Sequence, residues 1–434
     1  MKARYLIFSL SLILIGCFNV SAQQPVKSGP YKGIVLSRQQ RMKLREIDEN
    51  HRDSAQAVRA NKSLSEKEKK LQLEKIRLKT QQSIKSVLDP EQFAQWLSNR
   101  NGGGIVEGRE ELLQAVKSHD KAVLVLREQM RDPFIQLAPD GYYYLSCTRG
   151  LDQLPDNLPA MQSWRSQNLV DWEDLGIIWE AKNGIYGQDL IALAGKRNIA
   201  PTTWAPEAHF VNGKWVIVHT SNMRMANLML TRGSELTGPY EEPMALTFGF
   251  HRDPSLFVDD DGTPWLLTNC TEIWRLKKDF SGFDGFHKLL DPQDRYLGHE
   301  GACIIKFENK YILFGTAWST DVMRKGTYNL YYCTADNVTG PYGPRKFAGR
   351  FLGHGTPFQD KQGRWWCTAF SNADNPPLDP AEAKDADLSG SAYTINKQGL
   401  TLVPLEIRMV NGDVRVIAKD ENYRYPGKEE AQKF

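Results

Sequence analysis

Five stretches between residues 130 and 370 share one plan, and that repeat limits the fold more than any other feature of the chain. In RDPFIQLAPDGYYYL a carboxylate, Asp132, stands nine residues before Gly141, and an aromatic strand follows the glycine. The same nine-residue offset joins Trp204 to Gly213, Asp253 to Gly262, Glu300 to Asn309 and His354 to Gly363. Each time a short apolar run reaches a turn signal and returns as a second strand. The starts at 204, 253, 300 and 354 lie about 50 residues apart, the length of a four-stranded propeller blade. The first gap is longer, and residues 173 to 203 read as an inserted loop. A second repeat supports the period: Leu236-Thr237-Gly238-Pro239-Tyr240 returns two units later as Val338-Thr339-Gly340-Pro341-Tyr342. Five such units predict a mainly β chain folded as a five-bladed β-propeller. The Asn-Gly hairpin in EIRMVNGDVRVIA is expected to complete the last sheet.

The N-terminal part has a different composition. Residues 36 to 99 are rich in Lys, Glu, Gln and Arg, with no Gly and a single Pro. Helices are expected at about Ser37 to Asn61 and Ser65 to Val87, with Ser65 as an N-cap. Apolar residues are few, so this reads as a charged α-helical hairpin rather than a core. Gly102-Gly103-Gly104 marks a linker. The expected division is residues 1–22 as a signal peptide, 23–104 as hairpin and linker, and 105–434 as the propeller.

Lys2 and Arg4 precede an apolar run from Tyr5 to Ile15, too short to span a membrane and flanked like an export signal. Val20-Ser21-Ala22 fits cleavage before Gln23, while Leu14-Ile15-Gly16-Cys17 resembles a lipobox that would lipidate Cys17. Either route places the mature protein outside the cytoplasm, periplasmic or secreted. Export permits disulfides. Yet Cys147, Cys270, Cys303, Cys333 and Cys367 all lie in strand-like runs without a C-x-x-C pair, so buried free thiols are expected and a zinc site is not. A net charge of +3 gives no reason to expect nucleic acid or a membrane surface as partner.

The innermost strand of each blade lines the channel of a propeller, so residues at one phase converge near the axis. Here these are Asp132, Trp204, Asp253, Glu300 and His354. Gathering three carboxylates raises the pKa of at least one, a cost that points to function. Glycoside hydrolysis needs such a group. One carboxyl protonates the departing oxygen, another activates water or attacks carbon, and a third tunes the acid. Trp204 offers a sugar an apolar face. Blander readings exist for each residue. Asp-Pro opens turns, Glu300 can be a solvated loop acid, and His354 can be a core histidine or an ion ligand. Glu207 lies off the phase and reads as structural. Arg131 and Arg252 precede the two Asp residues, and Arg252 is a candidate sugar contact.

Residues 130 to 370 are similar to glycoside hydrolase family 43. The motifs D-P-x-I, W-A-P-[DE], D-P-S-L-F, E-G and G-H-G occur in family order, as Asp132-Pro133-Phe134-Ile135, Trp204-Ala205-Pro206-Glu207, Asp253 to Phe257, Glu300-Gly301 and Gly353-His354-Gly355. Ala302 stands where the family usually has Pro, and Asn168 where an outer-strand Asp is usual. The resemblance implies an inverting glycosidase with Asp132 as general base, Asp253 as pKa modulator and Glu300 as general acid. It implies arabinofuranosyl, xylosyl or galactosyl substrates in oligo- or polysaccharides and no required cofactor. A calcium or other ion near the axis, beside His354, is also implied. Separately, Leu36-Ser37-Arg38-Gln39-Gln40 and Leu88-Asp89-Pro90-Glu91-Gln92 resemble the L-T-x-x-Q repeats of the Spy/CpxP chaperone-like family. Two rival roles follow: a non-catalytic carbohydrate-binding propeller, or a periplasmic chaperone or sensor acting through the helices. Those helices could also support self-association.

Overall fold

The computed structural model describes residues 25–26, 30–101, 108–154, 157–244 and 251–434. The signal segment, the two processing sites and Gly102-Gly103-Gly104 lie outside the described residues. Four helices come first: α1 (Arg38–Ala60), α2 (Glu66–Lys85), α3 (Pro90–Asn101) and α4 (Arg109–Ser118). Ser37 and Ser65 each close a capping box, with Gln40 and Glu68, so both predicted helices start where their caps dictate. The third helix was not expected, and it changes the character of the segment. Phe93, Trp96 and Leu97 from α3 join Ile34, Leu36, Leu44, Ile84 and Leu88 in a small core.

The two L-x-x-x-Q pentads meet in that core. Gln40 Nε2 donates to Gln92 Oε1 (2.6 Å) and to the Val87 carbonyl, and Gln92 Nε2 donates to the Val35 carbonyl. The unit packs on the propeller rather than standing free. Arg77 pairs with Asp174, Lys85 with Glu173 (2.5 Å), and Gln81 Nε2 donates to the Asp174 carbonyl.

The short strand β1 (Val123–Leu126) follows. Blade one is β2 (Arg131–Leu137), β3 (Tyr143–Thr148), β4 (Ala160–Ser166) and β5 (Trp172–Glu180). Residues 173–203 are therefore not a bare loop: they hold most of β5 and the helix α5 (Ile185–Arg197). Blade two is β6 (Thr203–Val211), β7 (Lys214–Ser221), β8 (Asn227–Thr231) and β9 (Tyr240–Glu241). Blade three is β10 (Ser255–Val258), β11 (Pro264–Thr268), β12 (Glu272–Leu276) and β13 (Phe283–Leu289). Blade four is β14 (Glu300–Phe307), β15 (Lys310–Trp318), β16 (Gly326–Ala335) and β17 (Lys346–Gly349). In the last blade β18 (Pro357–Gln359) and β19 (Trp365–Ala369) precede α6 (Pro380–Asp385) and β20 (Ala392–Tyr393), which pairs in parallel with β16. Strand β21 (Leu400–Val410), β22 (Asp413–Ala418) and α7 (Glu421–Arg424) end the order.

The five sheets are antiparallel blades, as the repeat predicts. The last blade closes differently from expectation. Its order is β18-β19-β21-β1, so the N-terminal strand completes it, with Val123 opposite Leu402. The hairpin partner β22 pairs with the far half of β21, from Leu405 to Val410, off the blade path. Because β1 runs on into β2, this pairing ties the first blade to the last and closes the ring.

Apolar side chains fill each seam between blades. Trp164, Trp172, Leu145, Trp366 and Leu402 pack together where blades five and one meet. Tyr144, Trp179 and Trp215 pack between blades one and two. All five described cysteines are free and buried, as the sequence predicts. Among the described residues no helix is long and apolar enough to cross a membrane.

The C-terminal tail seals blade four. Arg350 Nη2 meets Glu429 at 2.8 and 3.0 Å, with side chains 5% and 0% exposed. Tyr331 donates to Glu430 at 2.7 Å. Replacing Glu429 by Ala strands a buried guanidinium, so Glu429→Ala should lower unfolding stability by about 3 kcal/mol. Denaturant titration of the variant against wild type measures it, and a loss below 1 kcal/mol would show that the tail does not hold Arg350.

Candidate active site

All five predicted positions lie at or just before the start of an innermost strand, at one end of the channel. What aims them is a backbone feature. Asp132, Asp253 and His354 have φ of 49°, 42° and 58°; in the other two blades the positive φ falls one residue later, on Ala205 (47°) and Gly301 (60°). The ladder register slips at the same places, between Arg131 and Phe134, Trp204 and Glu207, and Glu300 and Cys303. Blades one, two and four thus open their inner strand on a bulge that re-aims a side chain, and blades three and five share the left-handed residue just before theirs. A positive φ costs a non-glycine residue energy, and such strain persists where the surroundings enforce it.

Asp132 is held on both oxygens. Oδ1 lies 3.2 Å from His354 Nδ1, and Oδ2 accepts from Thr148 Oγ1 at 2.8 Å. Thr148 itself accepts from the Ala205 amide at 2.7 Å, which fixes its hydrogen on the carboxylate. Its side chain is 10% exposed. Glu300 is held from blade four. Tyr328 bonds Oε1, and Thr316 Oγ1 donates to the Glu300 carbonyl (2.7 Å) and lies 3.0 Å from the Tyr328 hydroxyl.

Two glycines let this packing form. A Cβ on Gly301 would lie 2.8 Å from the His354 ring, and one on Gly353 would lie 2.0 Å from the Tyr328 ring. The E-G and G-H-G motifs are therefore two halves of one contact across the seam of blades four and five.

The charges are coupled. Burial, with the negative charges of Glu300 and Asp132, pushes Asp253 up to about 7, against the pull of His354 and Arg252. Burial would also raise Glu300, but His354, His299, the Tyr328 hydrogen bond and Arg252 outweigh it and hold Glu300 below its ordinary value. Burial would lower His354, but Asp132, Asp253 and Glu300 outweigh it and raise the imidazole. His354 thus sits among three carboxyls that favour its charged form, and Asp253 is the carboxyl whose hold on a proton the site raises.

This has a consequence for stability. In the unfolded chain Asp253 ionises near 3.8, and in the folded site at about 7. The stabilising protonated form is fully present below pH 4 and is lost as pH rises through 7. Asp253→Asn cannot ionise, so its stability relative to wild type should be greater at pH 8 than at pH 4.5. Melting temperatures of both proteins at the two pH values check this, and a pH-independent difference would sink it.

The other expected residues fall as follows. Trp204 is 38% exposed at the channel mouth, open to a ligand. Arg252 acts on Asp253, Glu300 and His299 through its charge. Arg131 turns aside to Asn372 and the Phe370 ring. Glu207 pairs with His209 (2.8 Å) and accepts from the Leu256 amide, which joins blades two and three.

His354, beside which the family resemblance implies an ion, lies against Asp132. Its Nδ1 faces Asp132 Oδ1 at 3.2 Å, and its other ring nitrogen is not part of that contact. Among the described residues no group of three or more His, Cys, Asp or Glu could hold a metal ion.

Thr148, Tyr328, Thr316 and His299 were not anticipated. The first three lie in second or third strands, and nothing in an apolar strand pattern marks a threonine or tyrosine as facing the site.

A family model for glycosyl hydrolases family 43 matches residues 123–383. The chain belongs to this family. A xylan 1,3-beta-xylosidase from Vibrio sp is 25% identical over 270 residues, 54% of this chain and 46% of that protein. The chain thus spans about half the length of that curated relative. The crystal structure of the family 43 protein BlXynB from Bacillus licheniformis superposes with a TM-score of 0.51 at 19% identity, covering 72% of this chain and 60% of that one. That likeness is one of fold. The family match begins after the N-terminal helices, and no comparison supports their likeness to Spy/CpxP.

Proposed function

We propose that this family 43 chain is an exported glycosidase that cleaves arabinofuranosyl, xylosyl or galactosyl linkages in plant-type oligo- or polysaccharides with inversion. The observation that carries the reading is the convergence of Asp132, Asp253 and Glu300 on His354 at one channel mouth. Asp132, held by Thr148 and His354, takes a proton from the water that attacks the anomeric carbon. Glu300 gives its proton to the departing oxygen, so each turnover leaves Asp132 protonated and Glu300 ionised until solvent resets them.

Tyr328 suits both states of Glu300. It donates to the carboxylate, and it can turn its hydrogen to Thr316 and accept from the protonated acid. Asp253 tunes both partners by charge. Among the sugars, the name of the Vibrio relative favours xylosyl. Export rests on the N-terminal signal pattern, and a mass for the mature N-terminus starting at Gln23 or a lipidated Cys17 would test it. Self-association through the helices is tested by the mass of the purified chain in solution.

Incubating the full chain with xylo- and arabino-oligosaccharides, and recording product anomers by NMR, tests the central reading. Release of a monosaccharide with inverted configuration is expected. Saturable sugar binding without turnover would instead favour a carbohydrate-binding propeller. A chaperone role in the helices predicts suppression of aggregation by the chain whether or not Asp132 is intact.

A further inference from the structure

His299, one residue before the proposed acid, carries a buried nitrogen with nothing to bond. Its Nε2 is shut off from solvent and has no hydrogen-bond partner among the described residues. It lies 3.8 Å from Glu300 Oε1, too far for a hydrogen bond between them. Its backbone is fixed, with the amide donating to the Thr316 carbonyl at 3.0 Å, and its ring leans on Tyr328 at 5.6 Å. An unsatisfied buried polar atom is costly, and a site keeps one where a ligand supplies the partner. Two atoms 3.8 Å apart can both reach one oxygen, or two neighbouring oxygens, at ordinary hydrogen-bond lengths of about 2.8 Å. Burial lowers the imidazole's pKa against the pull of Glu300, which favours the charged ring, and the net shift favours the neutral one. A sugar hydroxyl both donates and accepts, and so satisfies either tautomer.

The same connection between blades three and four carries Tyr296, which is 56% exposed. This segment is rigidly held. Arg345, itself buried, donates to the Tyr296 and Leu297 carbonyls at 3.1 and 3.4 Å. Arg295 pairs with Asp321 at 2.6 Å, tying the segment to the next loop on that face. There Val322 and Met323 are 49% and 63% exposed. A large aromatic ring left open on a fixed loop, three residues from an unpartnered buried nitrogen in the chain, suits an occupant with one apolar face and several hydroxyls.

We infer that residues 290–299 form the subsite for the sugar that departs. His299 Nε2 bonds a hydroxyl next to the broken linkage, and Tyr296 carries the apolar face of the ring. The inference rests on the reading of Glu300 as general acid, because that group must stand on the leaving-group side. It assigns the chain to substrates whose leaving group is itself a sugar, rather than to small alkyl or aryl glycosides.

The test compares two substrates with the same transferred sugar: an oligosaccharide that the wild type cleaves, and the matching glycosyl fluoride, whose leaving group is a single atom. His299→Phe keeps a ring against Tyr328 and removes the nitrogen; Tyr296→Ala removes the exposed ring. For each, kcat/KM on the oligosaccharide should fall at least tenfold more than on the fluoride, and His299→Gln should recover part of the loss. Equal losses on both substrates, or no loss on either, would overturn the inference while leaving the glycosidase reading intact. A wild type that cleaves neither substrate would overturn the glycosidase reading and the inference with it.

Discussion

Asp132→Asn should lower kcat by about 10,000-fold on every substrate, whatever its leaving group. The carboxamide keeps the shape of the side chain, and Thr148 can still donate to its oxygen. What is lost, on the proposed reading, is the acceptor that takes the proton of the attacking water. The bond to the leaving group breaks in the same step, so a better leaving group does not bypass the deficit. KM should change little, because the carboxamide occupies the same space. A smaller substitution separates chemistry from collapse. Asp132→Ala leaves room for a small carboxylate, and added formate should restore part of the rate with inverted product. A variant with more than a tenth of wild-type activity would remove Asp132 from the base role and leave the site without one.

The sequence places Asp132 in this arrangement by counting, and the count works for a reason it cannot reveal. In blades one, three and five, three residues separate the turn partners, as between Ala138 and Tyr142. In blades two and four the strands join through two residues, Asn212-Gly213 and Glu308-Asn309, since Val211 faces Lys214 and Phe307 faces Lys310. Counting back nine from the turn therefore lands on the left-handed residue in three blades. In the other two it lands one residue before it, on Trp204 and Glu300. The five blades were legible because turn glycines and aromatic strands recur at a fixed period. The bulges were not, because a left-handed Asp or His looks like any other in a sequence. Thr148 and Tyr328 were hidden by their surroundings: they sit in buried strands whose alternation is swamped by neighbouring apolar residues on both faces. The closing role of β1 was hidden too, since VLVL gives no hint that its partner lies at Leu400–Leu402. Helix α3 was missed because Leu88-Asp89-Pro90 resembles the end of a helix. The Asp89 carboxylate in fact accepts from the Gln92 amide, and Pro90 opens the next one.

Glu300→Ala should behave differently from the Asp132 variant, and the difference assigns the two carboxyls. On an oligosaccharide the departing alkoxide needs a proton, and kcat should fall about 10,000-fold. On an aryl glycoside with an acidic phenol, or on a glycosyl fluoride, the leaving group departs unaided, and the loss should shrink to about tenfold or less. The pH profile gives a second reading of the same residue. In the free site Glu300 is held below its ordinary value by His354, His299, Tyr328 and Arg252 against its burial. Its side chain is 27% exposed, so it still gains from water. A bound sugar removes that water, adds to the burial that favours the neutral form, and leaves Tyr328 free to accept from the proton once its own hydrogen turns to Thr316. The acid should therefore titrate higher in the complex. The alkaline limb of kcat, which reports the complex, should lie at higher pH than that of kcat/KM, which reports the free enzyme. Tyr328→Phe should narrow the gap, since it removes the group that serves both states of the acid. Superimposable alkaline limbs in the wild type, together with an equal loss for Glu300→Ala on good and poor leaving groups, would take the acid role from Glu300. The role would then pass to Asp253, the carboxyl whose hold on a proton the site raises.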